Sequence, residues 1–150
     1  MSSADRSAAE GPDDIDQPEV SPYGDHTAEA IAITSAIFSG VGRERDELLA
    51  LAEPEDFLNP RHRLIWQAIR RLVAAGGGTA TTMIRDEIEA TNPAVAVDTD
   101  YINRLTDHAQ KALGGEPYKA GKLGDREVRD LVFTSTRRVH DLATRRRTSH

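Results

Sequence analysis

Asn59-Pro60-Arg61-His62-Arg63-Leu64-Ile65-Trp66-Gln67-Ala68-Ile69-Arg70-Arg71-Leu72-Val73-Ala74-Ala75-Gly76-Gly77-Gly78 is the stretch on which the fold turns. Asn59 is a favoured helix cap, and Pro60 falls at the first helical position, where its missing N–H costs nothing. Leu64, Ile65, Ala68, Ile69, Leu72 and Val73 then recur as one continuous helical face, and Gly76 supplies a left-handed stop. The spacing predicts a helix over about 60–75. Trp66 is the sole tryptophan. At 3.6 residues per turn it lies about 20° beyond Val73. That position suits either the completion of the core or contact with a second surface.

Helical periodicity also governs the segments on both sides. Upstream, Thr27 can cap AEAIAITSAIFSG, in which Ile31, Ile33, Ile37 and Phe38 stand among alanines, a density that implies burial on most sides before Gly40 and Gly42 end the run. ERDELLALA carries Leu48, Leu49 and Leu51 and is stopped by Pro54. Downstream, TTMIRDEIEAT at about 81–91 is expected to turn Met83, Ile84 and Ile88 inward, with Asn92-Pro93 closing it. Ile102, Leu105, Ala109 and Leu113 define a helix over about 99–113, ended by Gly114-Gly115. From Asp125 a final helix places Val128, Leu131, Val132, Ser135, Val139, Leu142 and Ala143 on one stripe. Only AVAV at 94–97 hints at strand-like alternation. The expected fold class is all-α, a compact bundle of about six helices with a C-terminal helical hairpin.

Length and composition frame this reading. The chain has 150 residues and suits one domain. The expected division is a disordered acidic arm at 1–25, a helical domain at 26–147 and a tail at 148–150. Residues 1 to about 24 hold too few large apolar side chains to offset the entropy of ordering them. The net charge of −6 conceals a gradient, from −7 over residues 1–30 through −4 over 31–118 to +5 over 119–150. An acidic head and a basic tail suggest separate roles for the two ends. There are no cysteines, which excludes disulfides, thiolate zinc sites and cysteine nucleophiles. The acidic N-terminus does not read as a secretory signal, and no apolar run reaches the roughly 18 residues of a membrane span, so a cytoplasmic protein is expected.

The chemistry-bearing motifs fail one by one. Gly76-Gly77-Gly78-Thr79 lacks the lysine and the preceding strand of a phosphate-cradling loop, which leaves no visible means of hydrolysing ATP. His26, His62, His108, His140 and His150 show no metal-ligand spacing. Glu53, Glu55 and Asp56 flank Pro54, where acids suit the start of a helical turn. No catalytic residue, cofactor or metal site is expected. Two groups of residues remain as interaction candidates: Trp66, Val128, Leu131, Val132 and Val139 for a protein interface, and Arg137, Arg138, Arg145, Arg146 and Arg147 for nucleic acid. Arginines in such a cluster either neutralise phosphates or complement the negative end of the helix dipole. On the first reading the Arg145–Arg147 triplet should be dispensable for folding.

The order of these units resembles the N-terminal domain of the replicative DNA helicase, the DnaB family. Ala28-Glu29 opens the first helix, Asp56-Phe57 precedes the strongest one, His62-Arg63-Leu64-Ile65-Trp66 forms its core, and Tyr101-Ile102-Asn103-Arg104-Leu105 follows. The likeness covers roughly 27–143. It implies a bacterial replication domain that pairs through its terminal hairpin, forms a collar of dimers around the helicase ring, and docks primase or a loader. It implies nothing catalytic: the family continues into a RecA-like motor with a Walker loop, whereas this sequence stops at His150. The 112–124 segment, with Gly114, Gly115, Gly121 and Gly124, is also more glycine-rich than the family usually shows. The expected partners are therefore a second copy, the replicative helicase, primase or a loader, with DNA as an alternative through the arginines. A remnant of an ATP-dependent helicase is the enzymatic alternative.

Overall fold

The computed structural model describes residues 25–39, 42–95, 97–114 and 126–148. The expected arm at 1–24, the glycine-rich segment 115–125 and the last two residues lie outside the described residues. Six α-helices run in the order α1 (His26–Phe38), α2 (Arg43–Ala50), α3 (Pro60–Ala74), α4 (Thr81–Thr91), α5 (Thr99–Ala112) and α6 (Arg126–Thr148), with a 3-10 turn at Pro54–Asp56 between α2 and α3. No strand occurs among the described residues, and Val97 of the AVAV stretch is buried in a connection. The chain is all-α.

α1 is the axis of the bundle. Ala28 to Ile37 are all buried, because alanines let neighbouring helices approach while the isoleucines fill the space between them. α5 and α6 pack along it most extensively, and α2 and α3 also contact it. α5 and α6 thus meet chiefly through α1. The cap of α1 differs from expectation: Asp25, not Thr27, accepts the Ala28 N–H, at 3.0 Å. Thr27 instead sets its hydroxyl 3.1 Å from His108 Nε2 on α5. Phe38, expected inside, is over a third exposed where α1 ends.

α3 starts and stops as its sequence dictates. Asn59 Oδ1 accepts the Arg61 N–H at 2.9 Å, and Pro60 occupies the first turn. At the other end Gly76 adopts φ +79°, with Gly76 N–H donating to Val73 O at 3.0 Å and Gly77 N–H to Leu72 O at 2.8 Å. This pair of bonds satisfies two carbonyls that the helix leaves open, and the positive φ explains the glycine. The buried face is rotated from the predicted stripe. His62, Ile65, Trp66, Ala68 and Ile69 are buried, whereas Leu64, Leu72 and Val73 are only partly so.

Ile84 and Ile88 of α4 face α3 as expected, but Met83 is exposed, with its sulfur over Gly78. Asp98 caps α5 through the Tyr101 N–H at 2.9 Å. α6 runs opposite to α1: Arg129 reaches Glu44 beyond the end of α1, while Arg138 reaches Asp25 at its start, both at 2.7 Å. With 23 residues, α6 spans roughly 35 Å at the helical rise. Its last turns therefore pass α1 and reach the 3-10 turn. No helix among the described residues is long and apolar enough to cross a membrane.

Candidate functional site

Two polar knots tie the bundle together, and both are built from side chains far apart in sequence. The first surrounds His62, which is fully buried. Its Nδ1 lies 2.7 Å from Glu29 Oε1, and its Nε2 lies 2.8 Å from the Tyr101 hydroxyl. Glu29 also accepts the Leu58 N–H at 2.6 Å and the Asn59 N–H at 3.4 Å. With Glu29 already accepting from two backbone donors, His62 pairs with it through Nδ1 and with the Tyr101 hydroxyl through Nε2, so both ring nitrogens are engaged. Arg61 lies 4.7 Å over the Tyr101 ring and covers it from outside.

Polar groups of this kind are retained in a core only when they are mutually satisfied, since each unpaired one costs on the order of 1–3 kcal/mol. The knot joins α1, α3 and α5 and fixes the approach to α3. It is also closed to substrate: Glu29 and Tyr101 are buried along with His62. A general base must reach a reacting proton, and none of these three can.

The second knot centres on Asp56, also buried. Asp56 Oδ2 accepts the Glu53 N–H at 2.9 Å and lies 2.9 Å from His140 Nδ1, and Oδ1 accepts from Arg147 at 3.1 Å. Arg146 donates to the Asp56 carbonyl at 2.7 Å. Burial lowers the pKa of the Arg146 guanidinium, against the attraction of Glu29 and Asp56. The carboxylate that caps the 3-10 turn is thus the anchor for the end of α6.

The histidines were scattered by sequence spacing, yet three of them converge. The His26 ring stands 5.3 Å from that of His62 and 5.6 Å from that of His108. Only the packing of α1 between α3 and α5 brings them together, so no local motif could have announced it. No group of three or more metal-binding side chains among the described residues is arranged to hold a metal ion.

The interface candidates divide sharply. Trp66 is wholly buried, its Nε1 donating to Ala52 O at 3.0 Å and its ring 4.9 Å from that of Phe57. It belongs to the core and not to a surface, because Phe57 and the 3-10 turn cover the flank that the helical wheel left open. Val132 and Val139 are likewise buried against α1, and Val128 is half-buried. Leu131 alone of the five is well exposed, at 43%. Among the arginines, Arg138 is held by Asp25, and Arg146 and Arg147 by the Asp56 turn. To meet a phosphate Arg138 and Arg147 would have to leave a carboxylate, and Arg146 the Asp56 carbonyl, so the structure gives these three expected contact residues partners within the chain. Arg137 and Arg145 are exposed.

The side chains that knit both knots, Glu29, Asp56, His62 and Tyr101, are the residues on which the resemblance rested. The sequence profile of the DnaB-like helicase N terminal domain matches residues 21–118, more than half of the chain. This chain belongs to the DnaB-like helicase N-terminal domain family. It carries a replication-related helicase N-terminal module. No curated protein and no solved structure matches it at a significant level. α6 lies beyond the matched segment of this DnaB-like domain, yet it covers one whole side of α1.

Proposed function

We propose that this DnaB-like domain is a non-catalytic docking module of DNA replication in the cytoplasm, which associates with a second copy of itself or with the replicative helicase, primase or loader. The observation that carries this reading is Leu131. The apolar stripe of α6 is wider than the side of α1 that covers it, so Val132, Val139 and Leu142 are buried while Leu131 at its edge stays open. Phe38 lies at the same end of the bundle, where Arg129 of α6 meets Glu44. Burying such a side chain is worth about 1.5–3 kcal/mol before association costs. The closed Glu29–His62–Tyr101 knot supports a role without catalysis, since its polar groups are spent on the fold.

The test is molar mass by light scattering on a sizing column, for the protein alone and mixed in turn with primase, replicative helicase and loader. Wild type is expected above monomer mass or co-eluting with a partner. Leu131→Glu is expected to abolish this with an unchanged melting temperature. A monomer at every concentration that co-elutes with none of the three would refute the proposal.

A further inference from the structure

Acids and bases are segregated along this chain, and the fold sets the root of the acidic segment beside a basic patch. Residues 1–24 hold six acids against one base. The first described residue, Asp25, has its carboxylate held by Arg138 of α6 at 2.7 Å. One helical turn along α1, Glu29 accepts the Leu58 N–H at 2.6 Å. Leu58 is 43% exposed, although it stands between the buried Phe57 and the cap of α3. An open apolar side chain therefore lies about one turn from the point where the acidic segment joins the bundle.

Arginines flank that side chain. Arg63 Nε donates to the Phe57 carbonyl at 2.6 Å and Arg146 to the Asp56 carbonyl at 2.7 Å, so two guanidiniums sit on consecutive carbonyls of the segment leading into Leu58. A carbonyl accepts a bond without cancelling the charge. Arg146 has its pKa lowered by burial first, and the like charges of Arg63 and Arg147 add to this against the pull of Glu29 and Asp56. Arg147 is 55% exposed and shares Asp56 with His140. Of the acids at this end, Glu29 and Asp56 are buried and Glu53 pairs with Arg70 at 2.8 Å. The exposed Glu55 and Asp141 are outnumbered by Arg61, Arg63, Arg145, Arg146 and Arg147. The field around Leu58 is positive.

We infer that the segment Asp13-Asp14-Ile15-Asp16 of the same chain docks on this patch, with Ile15 against Leu58 and its three acids in the field of Arg63, Arg146 and Arg147. Within residues 1–24, Ile15 is the large apolar residue that has an acid on both sides. Residues 17–24 join Asp16 to Asp25 and can span roughly 30 Å, several times the rise of the helical turn that separates Asp25 from Glu29. Such a tether presents the segment at roughly millimolar local concentration, so a contact too weak to hold a free peptide suffices. Opposite charge and one apolar pair carry the match, and the bonds around Asp56 stay in place. Leu131 and the association it supports take no part in it.

The chain has no cysteine, so Ala9→Cys accepts a single nitroxide label in the full-length protein. Paramagnetic broadening by NMR is expected at the Leu58 methyls and the Arg63 Nε–Hε group. It is not expected at the Met83 methyl, exposed near Gly78 past the far end of α3. Asp13→Asn, Asp14→Asn and Asp16→Asn together are expected to reduce the broadening at least threefold, as is about 0.5 M sodium chloride. Leu58→Ser is expected to weaken it at Arg63 at least twofold. Spin-labelled protein mixed with isotope-labelled, nitroxide-free protein should give none; broadening in that mixture would make the contact one between copies and overturn the inference. Equal broadening at Leu58 and Met83, or broadening that survives both the triple variant and salt, overturns it too. A docked acidic segment must compete with other polyanions. A short oligothymidine that shifts Leu58 and Arg63 equally in wild type and the triple variant would therefore give the patch to nucleic acid and sink the inference.

Discussion

Replacing Glu29 with alanine removes at one stroke the acceptor used by His62 Nδ1 and by the backbone N–H groups of Leu58 and Asn59. The side chain is 3% exposed, so water has little access to the donors left behind. A hydrogen bond to a charged group contributes about 1.5–3 kcal/mol, and a buried donor left unpaired costs about 1–3 kcal/mol. The Asn59 bond is long and counts for less. Some relaxation will admit water, so the sum is discounted to roughly 3–5 kcal/mol. That is a large fraction of the roughly 5–15 kcal/mol of stability typical of a domain. Urea unfolding is the assay, with the loss read as a lower midpoint at unchanged slope. Tyr101→Phe should cost less, about 1–2 kcal/mol, because it removes the hydrogen bond to His62 and only a long one from Asn59 at 3.5 Å. The double variant should lose less than the sum of the singles, since both act through the His62 ring. A loss below about 1 kcal/mol for Glu29→Ala would refute the claim that this knot holds α3 and α5 onto α1.

Alanine at Arg145, Arg146 and Arg147 together should lower stability by about 1–2 kcal/mol, a modest figure because Arg147 is half-exposed and its pair with Asp56 is screened; a melting temperature equal to that of wild type would show that the second knot does not hold. Asp56→Ala should cost more, about 2–4 kcal/mol, since it leaves Glu53 N–H, His140 and Arg147 without their acceptor, and thermal unfolding reads the difference. The emission maximum of Trp66 should lie toward the blue and stay fixed across protein concentration and partners; a shift on complex formation would place it at a surface after all. Gly76→Ala should cost about 1 kcal/mol through backbone strain alone, because a Cβ there would meet nothing within 4 Å. No loss in urea unfolding would argue against the positive φ.

The helices were legible because their signals are local. Pro60, Asn59 and Gly76 act within a turn of themselves, and the apolar spacing of α3, α5 and α6 needs no partner to be read. What escaped was set by neighbours. The helical wheel placed Trp66 at the border of its stripe, but Phe57 lies over that border and makes it interior. Met83 shares the apolar character of Ile84 and Ile88, yet it sits where α4 faces the Gly77-Gly78 connection and not α3. The arginines of α6 were counted as a patch of charge, but charge is available to a partner only when no acid of the chain claims it. Asp25 and Asp56, each more than 80 residues away in sequence, pair with Arg138 and Arg147, and the Asp56 carbonyl takes Arg146. Spacing cannot reveal such a pairing.

That pairing also explains how a helix outside the matched segment becomes part of the domain. α1 is buried over nearly its whole length, and the side that α5 and α3 leave open is covered by Val132, Ser135, Thr136, Val139 and Leu142. Apolar burial alone would let α6 slide along α1 by a turn, since isoleucine and valine accept one another in many registers. The carboxylates remove that freedom. Arg129 on Glu44, Arg138 on Asp25 and Arg147 on Asp56 are spaced nine residues apart along α6 and meet acids at the far end, the start and beyond the start of α1. A shift of one turn, about 5.4 Å, would break all three pairs together. Each exposed pair is weak on its own, but a common register makes them act in concert. The position of Leu131 at the open edge of the bundle follows from that register.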